Sequence, residues 1–252
     1  MDLSGQTDRA DASGDQTGGL AMQLDGLIFD KDGTLFNFSA SWEAWAQALI
    51  LELAEGDLAR AGAMGQVLGF DSESRSFRTD AIAITHTVDE IAAALEPLQT
   101  RLARDGIVAR MNSGAEQAPM AEAVPLLPLL EGLRGAGLRL GLATNDAEVP
   151  ARAHLGQAGI LEQFEFIAGF DSGHGGKPAP GQLLAFVRAT GLAPERIAMV
   201  GDSAHDLEAG RRAGMRTIGV LTGLASAADL ADLADVIVPD IGHIPLLLLT
   251  PR

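Results

Sequence analysis

Short apolar runs alternate along the chain with amphipathic, Ala- and Leu-rich stretches, and this alternation predicts strands separated by helices. The runs lie at 24 to 29, LRLGLAT (138 to 144), FEFIAG (164 to 169), RIAMVG (196 to 201), RTIGVL (216 to 221) and DVIVP (235 to 239). Their centres are almost wholly apolar, as in parallel strands covered on both faces. Helical patterns over 147–157, 180–190, 203–213 and 225–233 fall between them, several closed by a glycine (Gly159, Gly191, Gly214). The layout predicts an α/β, doubly wound parallel-sheet, Rossmann-like core.

Residues 37–124 break this rhythm. They read as successive helices, over about 40–61, 79–95 and 97–110, with no strong strand, and end on MNSGAEQAPMAEAVP, which has the composition of a linker. The expected organisation is therefore a core of 23–36 plus 125–252, a helical insert at 37–124, and a disordered tail at 1–22, which is polar, acidic and Gly-rich.

Composition narrows the function classes. With 34 acidic and 18 basic side chains among 252 residues the formal charge is -16, a field that repels nucleic acids and anionic membranes. Tyrosine is absent and aromatic content is 4%, leaving little to stack on exposed bases. There is no cysteine, so thiolate chemistry and disulfides are excluded. The N-terminus lacks the basic start and apolar centre of a signal peptide, and no apolar run approaches bilayer length. The expectation is a soluble cytoplasmic protein whose partner is neither nucleic acid nor membrane.

The candidate chemistry lies just beyond the strands, where open α/β sheets gather ligands. In LIFDKDGTLFNF, Asp30 and Asp32 follow the first strand, and a two-residue step in extended chain turns both carboxylates to one side and Lys31 away. Asp-Gly is also an ordinary turn signal. Thr144 and Asn145 end the second strand, where they suit either helix capping or a phosphate oxygen. Asp202 and Asp206 lie one helical turn apart on one face; Asp202-Ser203 also suits a helix cap. Lys177 is one of only two lysines, against sixteen arginines, so its place in the loop GHGGKPAP is unlike incidental surface charge. Pro178 keeps it extended, and Pro178 or Pro180 suits the first turn of the next helix. Two like charges about 4 Å apart cost roughly 4 kcal/mol at an effective dielectric of 20. Four carboxylates around one ammonium therefore call for a cation, and oxygen ligands without His or Cys suit Mg²⁺.

DKDGTL (30–35), ATN (143–145), GKP (176–178) and GDSAHD (201–206) together resemble the four ordered motifs of the haloacid dehalogenase-like (HAD) hydrolase superfamily. The insert is similar to that family's α-helical cap, and the likeness is strongest to the phosphoglycolate phosphatase group. The resemblance implies a phosphatase acting on a small phosphorylated metabolite, with 2-phosphoglycolate as a candidate. Asp30 would be the nucleophile and Asp32 the general acid and base. Asp30, the Asp32 carbonyl and Asp202 would hold Mg²⁺, with Asp206 either a further ligand or an acceptor through water. Thr144 and Lys177 would bind the phosphoryl oxygens, Lys177 also relieving repulsion near Asp30; Asn145 and Gly33 are further candidates for substrate binding.

Other chemistries on this scaffold are separated by residues. Asp32 is out of place in a dehalogenase, and an insert without lysine cannot form the Schiff base of a phosphonoacetaldehyde hydrolase. A phosphohexomutase uses the same two acids and stays open, as does a non-catalytic regulator that binds a phospho-ligand. A receiver domain places its motifs in another order. In the insert, with hinges near 36–39 and 112–124, Phe36, Phe38, Trp42, Trp45, Arg75, Arg78 and His86 are candidates for substrate contact, though aromatics at helical spacing also pack a core. His174 is a further candidate.

Overall fold

The computed structural model describes residues 22–78, 81–115 and 118–248. The expected tail thus lies outside the described residues except for Met22, whose N–H donates to the Leu247 carbonyl. The strands are β1 (Gly26–Phe29), β2 (Phe70–Asp71), β3 (Ser76–Phe77), β4 (Arg139–Ala143), β5 (Phe166–Ala168), β6 (Ile197–Gly201), β7 (Arg216–Val220) and β8 (Val236–Val238). The helices are α1 (Phe38–Leu53), α2 (Leu58–Leu68), α3 (Ile82–Thr85), α4 (Val88–Leu95), α5 (Arg104–Ala115), α6 (Leu126–Gly135), α7 (Glu148–Gln157), α8 (Gly181–Thr190), α9 (Ala204–Arg212), α10 (Ala227–Leu230) and α11 (Ile244–Leu247).

Six parallel strands form one sheet in the order β5-β4-β1-β6-β7-β8. All six expected strands are present. Alternate β1 side chains feed opposite layers: Leu27 and Phe29 join the cluster containing Leu126, Leu130 and Leu155, while Ile28 joins Leu183, Phe186 and Met199. Burial on both faces accounts for the unbroken apolar runs. The chain leaves β1, builds β4 and β5 on one side, then crosses to β6 on the other. The carboxyl end of β1 is therefore a switch point, where an open sheet forms its crevice.

The helical cap packs around its own apolar cluster, which includes Phe38, Trp42, Leu49, Met64, Ile91, Ile107 and Met111. It differs from the expected helices in several places, and the one expected over 97–110 begins only at Arg104. The pattern over 40–61 breaks at Glu55 (φ 54°) and Gly56 (φ 78°), after which Asp57 caps α2 by accepting from the Ala59 and Arg60 N–H groups. A hairpin pairs Phe70 with Phe77, too short to register as period-two alternation. The linker-like stretch begins inside α5. The pattern over 79–95 resolves into α3 and α4, separated at His86 and Thr87, with Thr87 capping α4. In the core, α6 is additional to the expected helices; its Pro128 occupies the first turn, where its missing N–H has no intrahelical partner to lose. No helix among the described residues is long and apolar enough to cross a membrane.

Phe186 fills the space beside two strand glycines: a Cβ on Gly141 would lie 2.8 Å from its ring, and one on Gly26 3.4 Å. Replacing it (Phe186→Ala) is expected to cost about 3–5 kcal/mol in urea denaturation, because a fully buried ring leaves a void that paired strands cannot close. A loss under about 1 kcal/mol would show that this layer is not tightly packed.

Candidate active site

The turn after β1 sets the first part of the site. The Asp30 N–H donates to the Val200 carbonyl, prolonging the β1–β6 ladder so that Asp30 leaves the sheet at its centre. The chain then folds back, with the Leu35 and Phe36 N–H groups donating to the Lys31 carbonyl. Gly33 enables this at φ 83°, and any Cβ there would lie 2.3 Å from an Asp202 carboxylate oxygen. Its N–H is committed to the Phe36 carbonyl and its own carbonyl accepts from Thr222 Oγ1. Gly33, a candidate for substrate binding, therefore gives close approach to Asp202, with its own N–H and carbonyl both paired. Thr34 Oγ1 donates to Asp202 Oδ1 at 3.3 Å, tying the turn to β6.

Lys177 is brought in from the loop after β5. Asn145 clasps its backbone, with Oδ1 accepting from the Lys177 N–H at 2.7 Å and Nδ2 donating to the Lys177 carbonyl at 3.0 Å. Asn145 thus places the lysine loop, using the amide expected to meet substrate. The ammonium, buried, lies 2.5 Å from Asp30 Oδ1 and 2.6 Å from Asp206 Oδ1. Asp206 Oδ2 accepts from the N–H and hydroxyl of Ser203, the N-cap of α9, so this acid both caps its helix and meets the lysine. The prolines after Lys177 do not enter the first turn of α8, for Pro180 is the N-cap.

One carboxylate oxygen from each of Asp30, Asp202 and Asp206 falls within 4.8 Å of the others. Burial lifts the Asp30 carboxyl to about 7; Lys177 opposes the rise, while Asp206 and Asp32 reinforce it. Burial likewise raises Asp202 well above the usual carboxylate range, with repulsion from Asp206 and Asp30 adding to it. Desolvation works against the Lys177 ammonium, yet Asp206 and Asp30 outweigh it and hold the lysine charged. Three acids around one ammonium are oxygens short of positive charge. They form the hard, all-oxygen donor set that suits a divalent cation such as Mg²⁺.

Asp32 lines the same cavity as Asp30, as the two-residue step implied. Lys31 does not turn away to an inert position. Its fully buried ammonium lies 2.6 Å from Asp32 Oδ2, 3.2 Å from Asp146 Oδ2, 3.2 Å from His154 Nδ1, and 5.1 Å from the Trp42 ring centroid. Trp42 Nε1 donates to Asp32 Oδ1 at 2.7 Å, and His154 Nε2 meets the Ala115 carbonyl at the end of α5. Burial works against the Lys31 charge, but Asp32 and Asp146 prevail and raise its pKa. Burial, then the neighbouring Lys31, lowers that of His154. Asp146 and His154 carried no local signal, since Lys31, the partner they share, lies more than a hundred positions away.

Thr144 is buried on the cavity wall. Its hydroxyl accepts from the Asp146 N–H, and its carbonyl accepts from Gln182 Nε2. It does not cap α7, whose N-cap is Ala147. Of the cap candidates, Phe38, Trp42, Trp45 and His86 line the cavity. Phe36 is buried in the core cluster instead, Arg75 and Arg78 are exposed off the cavity wall, and His174 stacks on Phe166.

Comparison with known proteins identifies the family. A family model described as haloacid dehalogenase-like hydrolase matches residues 24–214. A phosphoglycolate phosphatase of Rhodospirillum rubrum is 32% identical over 229 residues, covering 83% of this chain and 89% of that protein. An N-acetylmuramic acid 6-phosphate phosphatase of Pseudomonas putida is 28% identical, over 82% of this chain and 87% of its own. A solved structure from Haemophilus somnus, named a predicted phosphoglycolate phosphatase, superposes with a TM-score of 0.71 at 19% identity, over 90% of this chain and 99% of that one. The chain belongs to the haloacid dehalogenase-like hydrolase family.

Removing the buried Lys31 charge leaves Asp32 and Asp146 without their cation. Lys31→Met is expected to lower stability by about 3 kcal/mol or more in chemical denaturation. A change below about 1 kcal/mol would mean that the ammonium does not hold these acids in place.

Proposed function

We propose that this hydrolase is a Mg²⁺-dependent phosphatase that releases phosphate from a small phosphorylated metabolite through an aspartyl phosphate on Asp30. The observation that carries this reading is the buried Lys177 ammonium against Asp30, with Asp202 and Asp206 gathered beside it. A carboxylate attacks phosphorus best when its desolvation is compensated and its approach fixed.

In the first step an Asp30 oxygen forms a bond to phosphorus as the ester bond to the alcohol breaks. Asp32 gives its proton to the departing oxygen. In the second, Asp32 takes a proton from water, whose oxygen displaces Asp30 and frees phosphate. Lys177 and Thr144 hold phosphoryl oxygens, and Asn145 keeps Lys177 aimed at them. Lys31 and Trp42 orient Asp32. Asp30, the Asp32 carbonyl, Asp202 and Asp206 are the residues suited to hold Mg²⁺, which when bound supplies positive charge to the phosphoryl group.

Asp30→Asn is expected to lower kcat on a generic aryl phosphate by at least about a thousandfold while the far-ultraviolet circular dichroism stays native. Retained turnover would remove Asp30 from the nucleophile's role. Excess EDTA is expected to abolish activity and added Mg²⁺ to restore it; an unchanged rate after chelation would contradict the cation assignment.

A further inference from the structure

We infer that the ester this site hydrolyses has an uncharged, apolar alcohol as its leaving group, the monoester of a compact aryl-alkyl or branched alkyl alcohol. The inference rests on the phosphatase reading and narrows its substrate. The cavity above Asp30 and Asp32 is divided sharply by chemistry. Its floor is the polar group at the strand ends, and its cap wall is apolar, with Phe38, Trp42, Trp45, Leu49, Phe77 and Met111 among the lining side chains. Both tryptophans of the chain face it. Its volume is about 110 Å³, on the order of the ~150 Å³ apolar cavity that admits a benzene ring.

A second anionic group finds little welcome here. Among the described lining residues Lys177 is the only lysine or arginine, and it is already shared by Asp30 and Asp206. Five acids, Asp30, Asp32, Asp146, Asp202 and Asp206, line the same space. A carboxylate on the leaving group would be brought towards them without a free cation. The hydroxyls of a sugar fare no better, because the polar side chains of the wall are largely engaged. Asn145 is bound to Lys177, Ser203 to Asp206, and Trp42 Nε1 to Asp32. The other polar side chains there are Thr144, whose hydroxyl accepts from the Asp146 N–H, His86, which is exposed, and His205, which is half-buried. An apolar alcohol, by contrast, exchanges water for aromatic and aliphatic surface.

The test compares kcat/KM of the full chain with Mg²⁺ on benzyl phosphate and 3-methylbutyl phosphate against 2-phosphoglycolate and glucose 6-phosphate. All four leave as alkyl alcohols, so binding rather than intrinsic reactivity decides the order. The apolar esters are expected to lead by about tenfold or more, the scale of a few buried methylenes. In parallel, tryptophan fluorescence is titrated with benzylphosphonate and with phosphonoacetate, which report on binding without turnover; the former is expected to bind about tenfold tighter or better. Turnover led by 2-phosphoglycolate or glucose 6-phosphate, or no preference beyond about threefold, overturns the inference and leaves the phosphatase reading standing. Preferential binding of benzylphosphonate with no hydrolysis of any ester supports the apolar pocket and overturns the phosphatase reading. Absence of both hydrolysis and binding overturns both.

Discussion

Carboxylates that converge out of water repel one another, and the centre of this protein depends on how that repulsion is offset. Asp30, Asp202 and Asp206 meet at the strand ends, with Asp32 and Asp146 beside them. The chain contains only two lysines. Both are buried here, Lys177 between Asp30 and Asp206, Lys31 between Asp32 and Asp146. Each ammonium serves two acids, so each pair of carboxylates is held at a distance that neither would adopt alone. The division also separates tasks. Lys177 faces the cluster suited to phosphorus and a cation, whereas Lys31 braces Asp32 from behind and connects it through His154 to the carbonyl of Ala115 in the cap.

The fold supplies these encounters from distant segments. Parallel pairing of β1 with β4 and β6 sets the ends of all three strands side by side, and the crossing of the chain at β1 opens the crevice there. Close approach then depends on missing side chains. A Cβ on Gly33 would strike the Asp202 carboxylate, and one on Gly201 would lie 2.3 Å from the Asp206 Cβ. Over this polar floor the cap lays an apolar wall. In the proposed reading, that contrast of floor and wall is what selects the ester.

Much of this was legible in the sequence because it is local. Apolar runs marked the six strands, the acids lay directly beyond them, and the rarity of lysine singled out position 177. Lys31 was legible in position but not in role. Alternation sends its side chain away only while the backbone stays extended, and the turn at Gly33 ends that condition within three residues; the long side chain then curls back to Asp32. Gly33 and Asn145 were expected against substrate, but their polar groups close the turn and the lysine loop, a matter of tertiary pairing. Within the cap, the break at Glu55 and Gly56 and the two-residue strands of the hairpin were too brief to alter a helical periodicity. The aromatics there suited both core and cavity, and they serve both, which only packing reveals.

Asp30 is the proposed oxygen donor to phosphorus, and the most direct measurement of that role is mass spectrometry of acid-quenched enzyme taken during turnover. The expected result is one phosphoryl group on the peptide carrying Asp30, absent without substrate and lost when the peptide is treated with hydroxylamine. Turnover with no such adduct, or with the phosphoryl group on any other residue, would contradict it.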